Sequence, residues 1–485
     1  MKTPLLLLPL LLAAVPSVAQ QPYTLQACRD SALARNRAIT VARTLEDKAR
    51  HEQRAARARF LPGISAGATF LYTNARIRRD VAPTFLPAYL PDPVTGQLVP
   101  DLLLAPGGQP VVGPDGNPLF NRYAYFPGTT LDVNPNGTYL AAVTARQPLF
   151  AGGKILTAYR LARVAGRVAE ISKRLKAIDV VVETDEAFWN HVKAIETAKV
   201  AAAFQQLVDE LARDVQRAGD AGMKTRNDRL KIQVQVNKAA LQLEKSANAT
   251  RLSRENLCRV TGLPLSTRLV IAHSLDDDDD IDDDLPPATS APRPEHDLLD
   301  EQVKARQQHV HLARADYLPR VGIEANYGRA RGPALNGVPL VDRPFFSALL
   351  SVQVPLFHWG EGANKARAAR DEQQAAEWER DDLAGKMEIE ARHARDRLSE
   401  ARLEVAMNKL ALEQASENLR VARERHAAGM ESLAACLEAQ TLWQQASLAL
   451  VESRIALKLC KTYYLKATGN LSPSLPDAPA NAASR

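Results

Sequence analysis

Read onward from Leu318-Pro319, side chains alternate in character: Val321, Ile323, Ala325 and Tyr327 fall on one face, Gly322, Glu324, Asn326 and Gly328 on the other. This period of two marks a β-strand with unlike surroundings on its two sides. The chain returns through Phe346, Ala348, Leu350, Val352 and Val354, with Ser347, Ser351 and Gln353 opposite. An earlier pair has the same pattern. Ile64, Ala66, Ala68, Phe70 and Tyr72 alternate with Ser65, Gly67 and Thr69, and Tyr139, Ala141, Val143 and Ala145 alternate with Ala142, Thr144 and Arg146. The expected strands are residues 63–72, 139–150, 320–328 and 345–356. Each is about ten residues, enough for a tilted strand to cross a bilayer core, and each ends in aromatics where headgroups would lie. The alternation alone fits a soluble sandwich equally well.

After each strand pair the period changes. Residues 154–217 contain no proline, and Val164, Val168, Ile171, Leu175, Ile178 and Val182 follow the four-three spacing of a coiled-coil seam. Such a helix reaches roughly 95 Å at about 1.5 Å per residue. Gly219 and Gly222 interrupt it, Thr225 or Asn227 can cap a new helix, and apolar residues resume at Leu230, Ile232 and Val234, which predicts a return helix over 225–261. Later come a helix over 362–427, a turn at Gly429, and a return helix over 431–468 through Leu442, Leu448 and Ile455. Both return helices run into a glycine, Gly262 and Gly469, the expected stop.

These units are copies of one another. Gln147-Pro148-Leu149-Phe150-Ala151-Gly152-Gly153 reappears as Val354-Pro355-Leu356-Phe357-His358-Trp359-Gly360, with Pro148 and Pro355 207 positions apart. The same offset relates Ala221-Gly222-Met223 to Ala428-Gly429-Met430, and Thr261-Gly262 to Thr468-Gly469. Repeat 1 spans 20–262 and repeat 2 spans 295–470, before a tail over 471–485. Leu61-Pro62 and Leu318-Pro319 are instead 257 apart, so repeat 1 carries 50 additional residues between its two strands. That gap, residues 73–138, holds Pro91-Asp92-Pro93, Pro106-Gly107-Gly108 and Pro114-Asp115-Gly116, turn formers dense enough to exclude a long helix and predict a loop. The gap in repeat 2, residues 329–344, is short. Between the repeats, residues 263–294 hold eight Asp within 276–284 and then Pro286-Pro287, a solvated linker. A calcium loop would need a turn glycine among those carboxylates, and none is present.

Composition narrows the class. Lys2, an apolar run from Leu5 to Val15, and Ser17-Val18-Ala19 make residues 1–19 a signal peptide, the run being shorter than the roughly 20 residues of a membrane span. No later stretch approaches 18 apolar residues, so a membrane would have to be crossed by strands. An exported chain with aromatic strand ends points to a membrane rather than to a soluble sandwich. Four strands cannot close a barrel, bacterial examples starting at about eight, and open edges are not tolerated in lipid; copies must therefore pool strands. The net charge of +6 comes from signs that alternate along the helices, which implies no nucleic acid. Cys28, Cys258, Cys436 and Cys460 have neither metal-like nor disulfide-framework spacing and read as free, mostly buried thiols. An enzyme lacks support: there is no H-E-x-x-H and no G-x-S-x-G, Gly152-Gly153-Lys154-Ile155 is no phosphate loop, and His309 and His311 fall on different faces of a helix. No catalytic residue, cofactor or metal is expected. A soluble periplasmic coiled-coil adaptor or scaffold remains as the rival reading, and the four strands discriminate against it.

With Thr24-Leu25-Gln26-Ala27-Cys28, Ala32-Leu33 and Asn36 near the start, both Leu-Pro and Pro-Leu-Phe signals, both Ala-Gly-Met turns and both Thr-Gly endings in order, the mature chain resembles the TolC-like outer-membrane efflux factor family. The resemblance implies a mainly α fold with a transmembrane β part. In it a homotrimer gives four strands per protomer to a twelve-stranded barrel in outer-membrane lipid, continued by a periplasmic α-barrel with the acidic linker at its equator. Residues 73–138 and 329–344 would face outside the cell. The implied function is a passive exit duct that docks a periplasmic adaptor, a membrane fusion protein, and an inner-membrane transporter of the RND or ABC type. Ala221, Gly222, Met223, Ala428, Gly429 and Met430 would meet the adaptor. The resemblance transfers a closing latch by position to Asn227 and Asp228 with His426 and Glu431, without the family's aromatic and arginine partners. If Asp228 pairs with His426, protonating the imidazole below roughly pH 6.5 tightens the latch. A carboxylate ring above the tip would fall on Ala435, which cannot serve, and Glu438, which can.

Overall fold

The computed structural model describes residues 23–222, 224–272, 275 and 293–475. The expected signal peptide (residues 1–19), Met223 and the acidic run 276–284 lie outside them. The chain divides into two compact units, a helical one (Met1–Ala55, Thr157–His311 and Ala363–Arg485) and a β-rich one (Ala56–Leu156 and Leu312–Gly362).

The helical unit is built on α3 (Lys154–Asp220) and α6 (Glu361–Ala427), each 67 residues and therefore about 100 Å long. Their return helices are α4 (Arg226–Thr261) and α7 (Leu433–Ala467). Three shorter helices join them: α1 (Leu25–Arg35), α2 (Arg37–Ala58) and α5 (Pro294–Ala315). The seam residues Val164, Ile171, Ile178 and Val182 are buried. Near its middle α3 is covered on more than one side, since Val180, Val181, Phe188 and Val192 are buried as well. Part of that cover is α1 and part is α4 and α7, through Cys28, Leu33, Leu257, Cys258 and Ile455. All these side chains are apolar, and burying each contributes roughly 1.5–3 kcal/mol for the larger ones.

Two polar devices fix this packing. Asn36 breaks α1 from α2; its amide donates to the Val260 carbonyl (2.9 Å) and its Oδ1 accepts from Ala38 N–H (2.8 Å). Asp185, fully buried on α3, accepts two hydrogen bonds from the Arg29 guanidinium of α1, the Nε one at 2.7 Å, and a third from the Thr462 hydroxyl of α7 at 2.7 Å. At the other end of the linker, Arg293 donates to Glu390 (2.8 Å), Glu295 (3.1 Å) and the Ala467 carbonyl (3.2 Å).

The longest strands of the β unit form an antiparallel sheet in the order β1 (Gly63–Leu71), β8 (Thr138–Ala151), β9 (Arg320–Arg331), β12 (Asp342–Gln353). The repeats meet at β8 and β9, leaving β1 and β12 as edges. β8 runs through the Pro148-Leu149-Phe150 segment by a register shift between Pro148 and Phe150. β12 ends at Gln353, so the expected extension to 356 does not form: its partner strand β9 begins at Arg320, opposite Gln353, and Pro355 has no ladder to join.

Residues 73–138 are expected as a loop and are instead a ladder of short strands: β2 (Ile77–Val81) with β7 (Thr129–Asn134), β3 (Thr84–Pro87) with β6 (Tyr123–Phe126), and β4 (Tyr89–Pro91) with β5 (Leu98–Pro100). The predicted turns are there, at Asp92–Gly96 and Gly113–Asn117 among others, with antiparallel pairing between them. The short gap of repeat 2 forms the hairpin β10 (Ala334–Leu335) and β11 (Val338–Pro339) around Asn336-Gly337, and β10 pairs with β7.

Candidate functional site

Among the described residues, none covers the apolar face of the membrane sheet. Ile64 is 74 % exposed, Phe346 70 % and Leu350 62 %, side chains that share the apolar face of their strands. A sandwich buries one face, so the soluble reading of the alternation fails on these residues. The opposite face carries a polar ladder, with the Thr144 hydroxyl on Asn326 (2.6 Å), Arg146 on Glu324 (2.7 Å) and Asn326 on Ser347 (3.4 Å). A sheet one layer thick, apolar on one side and polar on the other with both edges open, fits the wall between lipid and a wet lumen.

At the far ends of the long helices stand the two turns. Gly222 (φ +78°) and Gly429 (φ +76°) occupy the left-handed region, and nothing lies within 4 Å of where a Cβ would be added to either. The turn needs glycine for its backbone, and the space beside it is open. Ala221, Ala428 and Met430 are exposed around them; Met223 lies outside the described residues. Beneath, Phe204, Val208, Leu211 and Val215 of α3 pack with Ile232 of α4 and with Leu433 and Cys436 of α7, joining one hairpin to the other. Arg423 of α6 reaches Glu210 of α3 at 2.8 Å.

The four latch residues are not brought together as a set within one protomer. Thr225 caps α4, and Asp228 completes a capping box: its carboxylate accepts from the Thr225 N–H (3.1 Å) and hydroxyl (2.8 Å), while its own N–H donates to Thr225 Oγ1 (3.1 Å). Those bonds, chiefly the hydroxyl, hold the Asp228 carboxyl below its ordinary pKa. His426 instead donates through Nδ1 to the Glu431 carbonyl at 2.9 Å, and the Glu431 carboxylate faces Arg425 at 3.8 Å. An Asp228–His426 pair within the protomer is therefore replaced by two local closures. The signal was in the sequence: Thr225-x-x-Asp228 ahead of an apolar run is a capping box. Asn227 is exposed beside it. Glu438 is exposed on α7, opposite the buried Cys436, Ala439 and Gln440.

Sequence reasoning missed the cleft between the hairpin ends. It measures ≈ 440 Å³ and is lined by Asp214, Arg217, Lys224, Arg423, His426 and Cys436 among others. The surroundings are basic: residues 213–231 carry six Lys or Arg against three Asp, and residues 420–431 three Arg against two Glu.

Sheet and helices together define a channel subunit of the bacterial outer membrane. The family described as outer membrane efflux protein matches residues 28–263 and 299–459, and the chain belongs to it. That places it among the outer-membrane efflux proteins. The Campylobacter jejuni CmeC outer membrane channel superposes with a TM-score of 0.68 at 16% identity, over 92% of this chain and 85% of that one. The open-state Neisseria gonorrhoeae MtrE channel gives 0.68 at 16% identity, over 93% and 90%. Alkaline protease secretion protein AprF of Pseudomonas aeruginosa is 23% identical over 302 residues, 60% of this chain and 62% of AprF, so the match spans about three fifths of that relative.

Proposed function

We propose that three copies of this chain form the exit duct of a tripartite efflux or secretion assembly, each giving β1, β8, β9 and β12 to a twelve-stranded barrel. The observation that carries this reading is the open-edged sheet with an apolar face uncovered. Lipid accepts no unpaired strand edge, so β12 of one copy pairs with β1 of the next. Substrate passes down its own gradient of supply; the energy comes from an inner-membrane transporter, of RND or ABC type, coupled through a periplasmic adaptor.

The adaptor meets the tips at Ala221, Gly222, Met223, Ala428, Gly429 and Met430. Two supports stand behind that assignment: the open space beside both left-handed glycines, where a partner backbone can approach closely, and the basic cleft next to them, which favours an acidic adaptor loop. The latch assigned to Asn227, Asp228, His426 and Glu431 then acts between copies and not inside one. Glu438, repeated three times around the axis, favours cations. The name of the AprF relative supports polypeptide secretion as one cargo class beside small-molecule efflux.

Native mass spectrometry of outer-membrane extract tests the copy number, and planar-bilayer recording tests conduction. Gly222→Leu and Gly429→Leu test the tips in cells: both variants insert and conduct, yet export falls to the level of a strain lacking the channel. Full export by the double variant would overturn the docking assignment.

A further inference from the structure

The 50 residues that repeat 1 has and repeat 2 lacks form an arm of nested hairpins, and its surface is peculiar. Over residues 81–121 there is no Lys, Arg, His or Glu, and only three Asp. Each Asp is engaged by the arm or its root. Asp92 caps its own turn, accepting from Val94 N–H (2.7 Å) and Thr95 N–H (3.0 Å); Asp115 accepts from Asn117; Asp101 pairs with Arg122 at 2.8 Å. Those turn bonds hold the carboxyls of Asp92 and Asp115 below their ordinary pKa, so both stay fixed in place as anions. Beside polar Thr95, Gln97, Gln109 and Asn117, the arm exposes large apolar side chains: Val94 is 91 % exposed and Leu98 69 %, with Leu104, Val112, Phe85 and Tyr125 also exposed. Single exposed apolar residues need no explanation, but this many on one nearly uncharged segment mark a contact surface.

The geometry points to a second copy of this chain as the occupant: we infer that the arms clasp neighbouring protomers outside the membrane. The inference rests on the pooled barrel proposed above. The outer sheet runs β2-β7-β10-β11, which is the same repeat order as β1-β8-β9-β12 in the membrane sheet. Its free edges, β2 and β11, thus follow the two edges along which copies must pair. The arm is rooted on β2 and β7, beside one of those edges. Charge decides against the other apolar surface at hand. Anionic outer-leaflet lipid is held by Lys and Arg, and the arm presents neither over 41 residues. A nearly uncharged surface meets a copy of itself without repulsion.

Two variants of the full chain in detergent and in liposomes test the clasp. One carries Val94→Ser, Leu98→Ser, Leu104→Ser and Val112→Ser, all at exposed positions, so the fold of the arm itself is spared. The other replaces residues 83–127 by Asn-Gly, closing the β2–β7 ribbon with a two-residue turn. Both still assemble, and the temperature at which the oligomer dissociates falls by about 10 °C. In a Leu98→Cys protein a bis-maleimide joins chain to chain; the natural thiols compete poorly, Cys28, Cys258 and Cys436 being buried and Cys460 half-buried. An unchanged dissociation temperature in both variants, or cross-links to lipopolysaccharide instead of a second chain, overturns the clasp. Wild-type protein that runs as a monomer overturns the pooled barrel along with it, whereas a stable wild-type oligomer indifferent to the arm removes the clasp alone.

Discussion

Removing one side of the Arg29–Asp185 pair is not equivalent to removing the other. The Asp185 side chain is 0 % exposed and that of Arg29 is 23 % exposed. Arg29→Met therefore strands a carboxylate that water cannot reach, with only the Thr462 hydroxyl left to it, at a cost of about 3–5 kcal/mol. Asp185→Asn leaves a guanidinium that can turn toward solvent and a neutral amide that can still accept from it, at a cost of about 1–3 kcal/mol. Arg29→Met with Asp185→Leu removes the buried charge altogether and falls closer to wild type than Arg29→Met alone, since an ion pair replaced by apolar side chains of similar volume is often neutral. The assay is urea unfolding of the helical signal at fixed protein and detergent concentration, because the association of copies proposed above would make any midpoint depend on both. Equal midpoint losses for the two single variants, or a double variant worse than Arg29→Met, would refute the reasoning.

Other outcomes follow from single sites. Thr225→Ala removes the cap of α4 and costs about 1 kcal/mol, read as faster amide exchange in the first turn of that helix. Asp228 has a depressed folded pKa, so its share of the cap is present above the unfolded carboxyl value of about 3.9 and is lost as pH falls through the folded value; the protection factors at the start of α4, exchange rates divided into the intrinsic rate at each pH, should be flat from pH 7 to 5 and fall only in stronger acid. The Cys28 thiol, pushed up to about 12 mainly by burial, stays unlabelled by maleimide at pH 8 in the folded protein and reacts once it is denatured. Glu438→Gln shifts the reversal potential toward anions, and an unchanged potential removes the proposed cation ring.

The long helices and the four strands were legible because their signals are local. A proline-free seam at four-three spacing and a period of two survive inspection of ten to twenty residues at a time. The break at Asn36 is different in kind: it depends on the Val260 carbonyl, 224 positions away, and no window around Asn36 contains that partner. The same holds for the double cover on α3, which exists because α1 and α7 fold back over it. In the arm the turns were visible as Pro-Asp and Pro-Gly clusters, while the pairing between them was hidden by strands only three to six residues long. At the tip, the Thr225-x-x-Asp228 spacing made the cap of α4 legible, whereas the bond from His426 to the Glu431 carbonyl depends on how the chain turns at Gly429.

Where the repeats agree and where they part follows from what each part meets. Along the helices the offset of 207 is kept at both starts, Lys154 to Glu361 and Arg226 to Leu433, and at both tips. The divergence lies in the β unit. Gly152 sits at φ +61°, with the Ala315 carbonyl 2.4 Å from where its Cβ would stand; 207 positions on, Trp359 holds φ +49°, a conformation costing an ordinary residue about 1–2 kcal/mol. β8 is an inner strand closed on by its own chain, so only glycine fits at its end. β12 is an edge, and Trp359 beyond it is 89 % exposed, packed on Phe357 with ring centres 4.8 Å apart. Aromatic side chains at the end of a membrane strand anchor it at the headgroup level, and that gain offsets the backbone strain. Copies of one unit stay alike at the helical tips, where both turn on a left-handed glycine, and differ in the sheet, where β8 is paired on both sides within the chain and β12 on one side only.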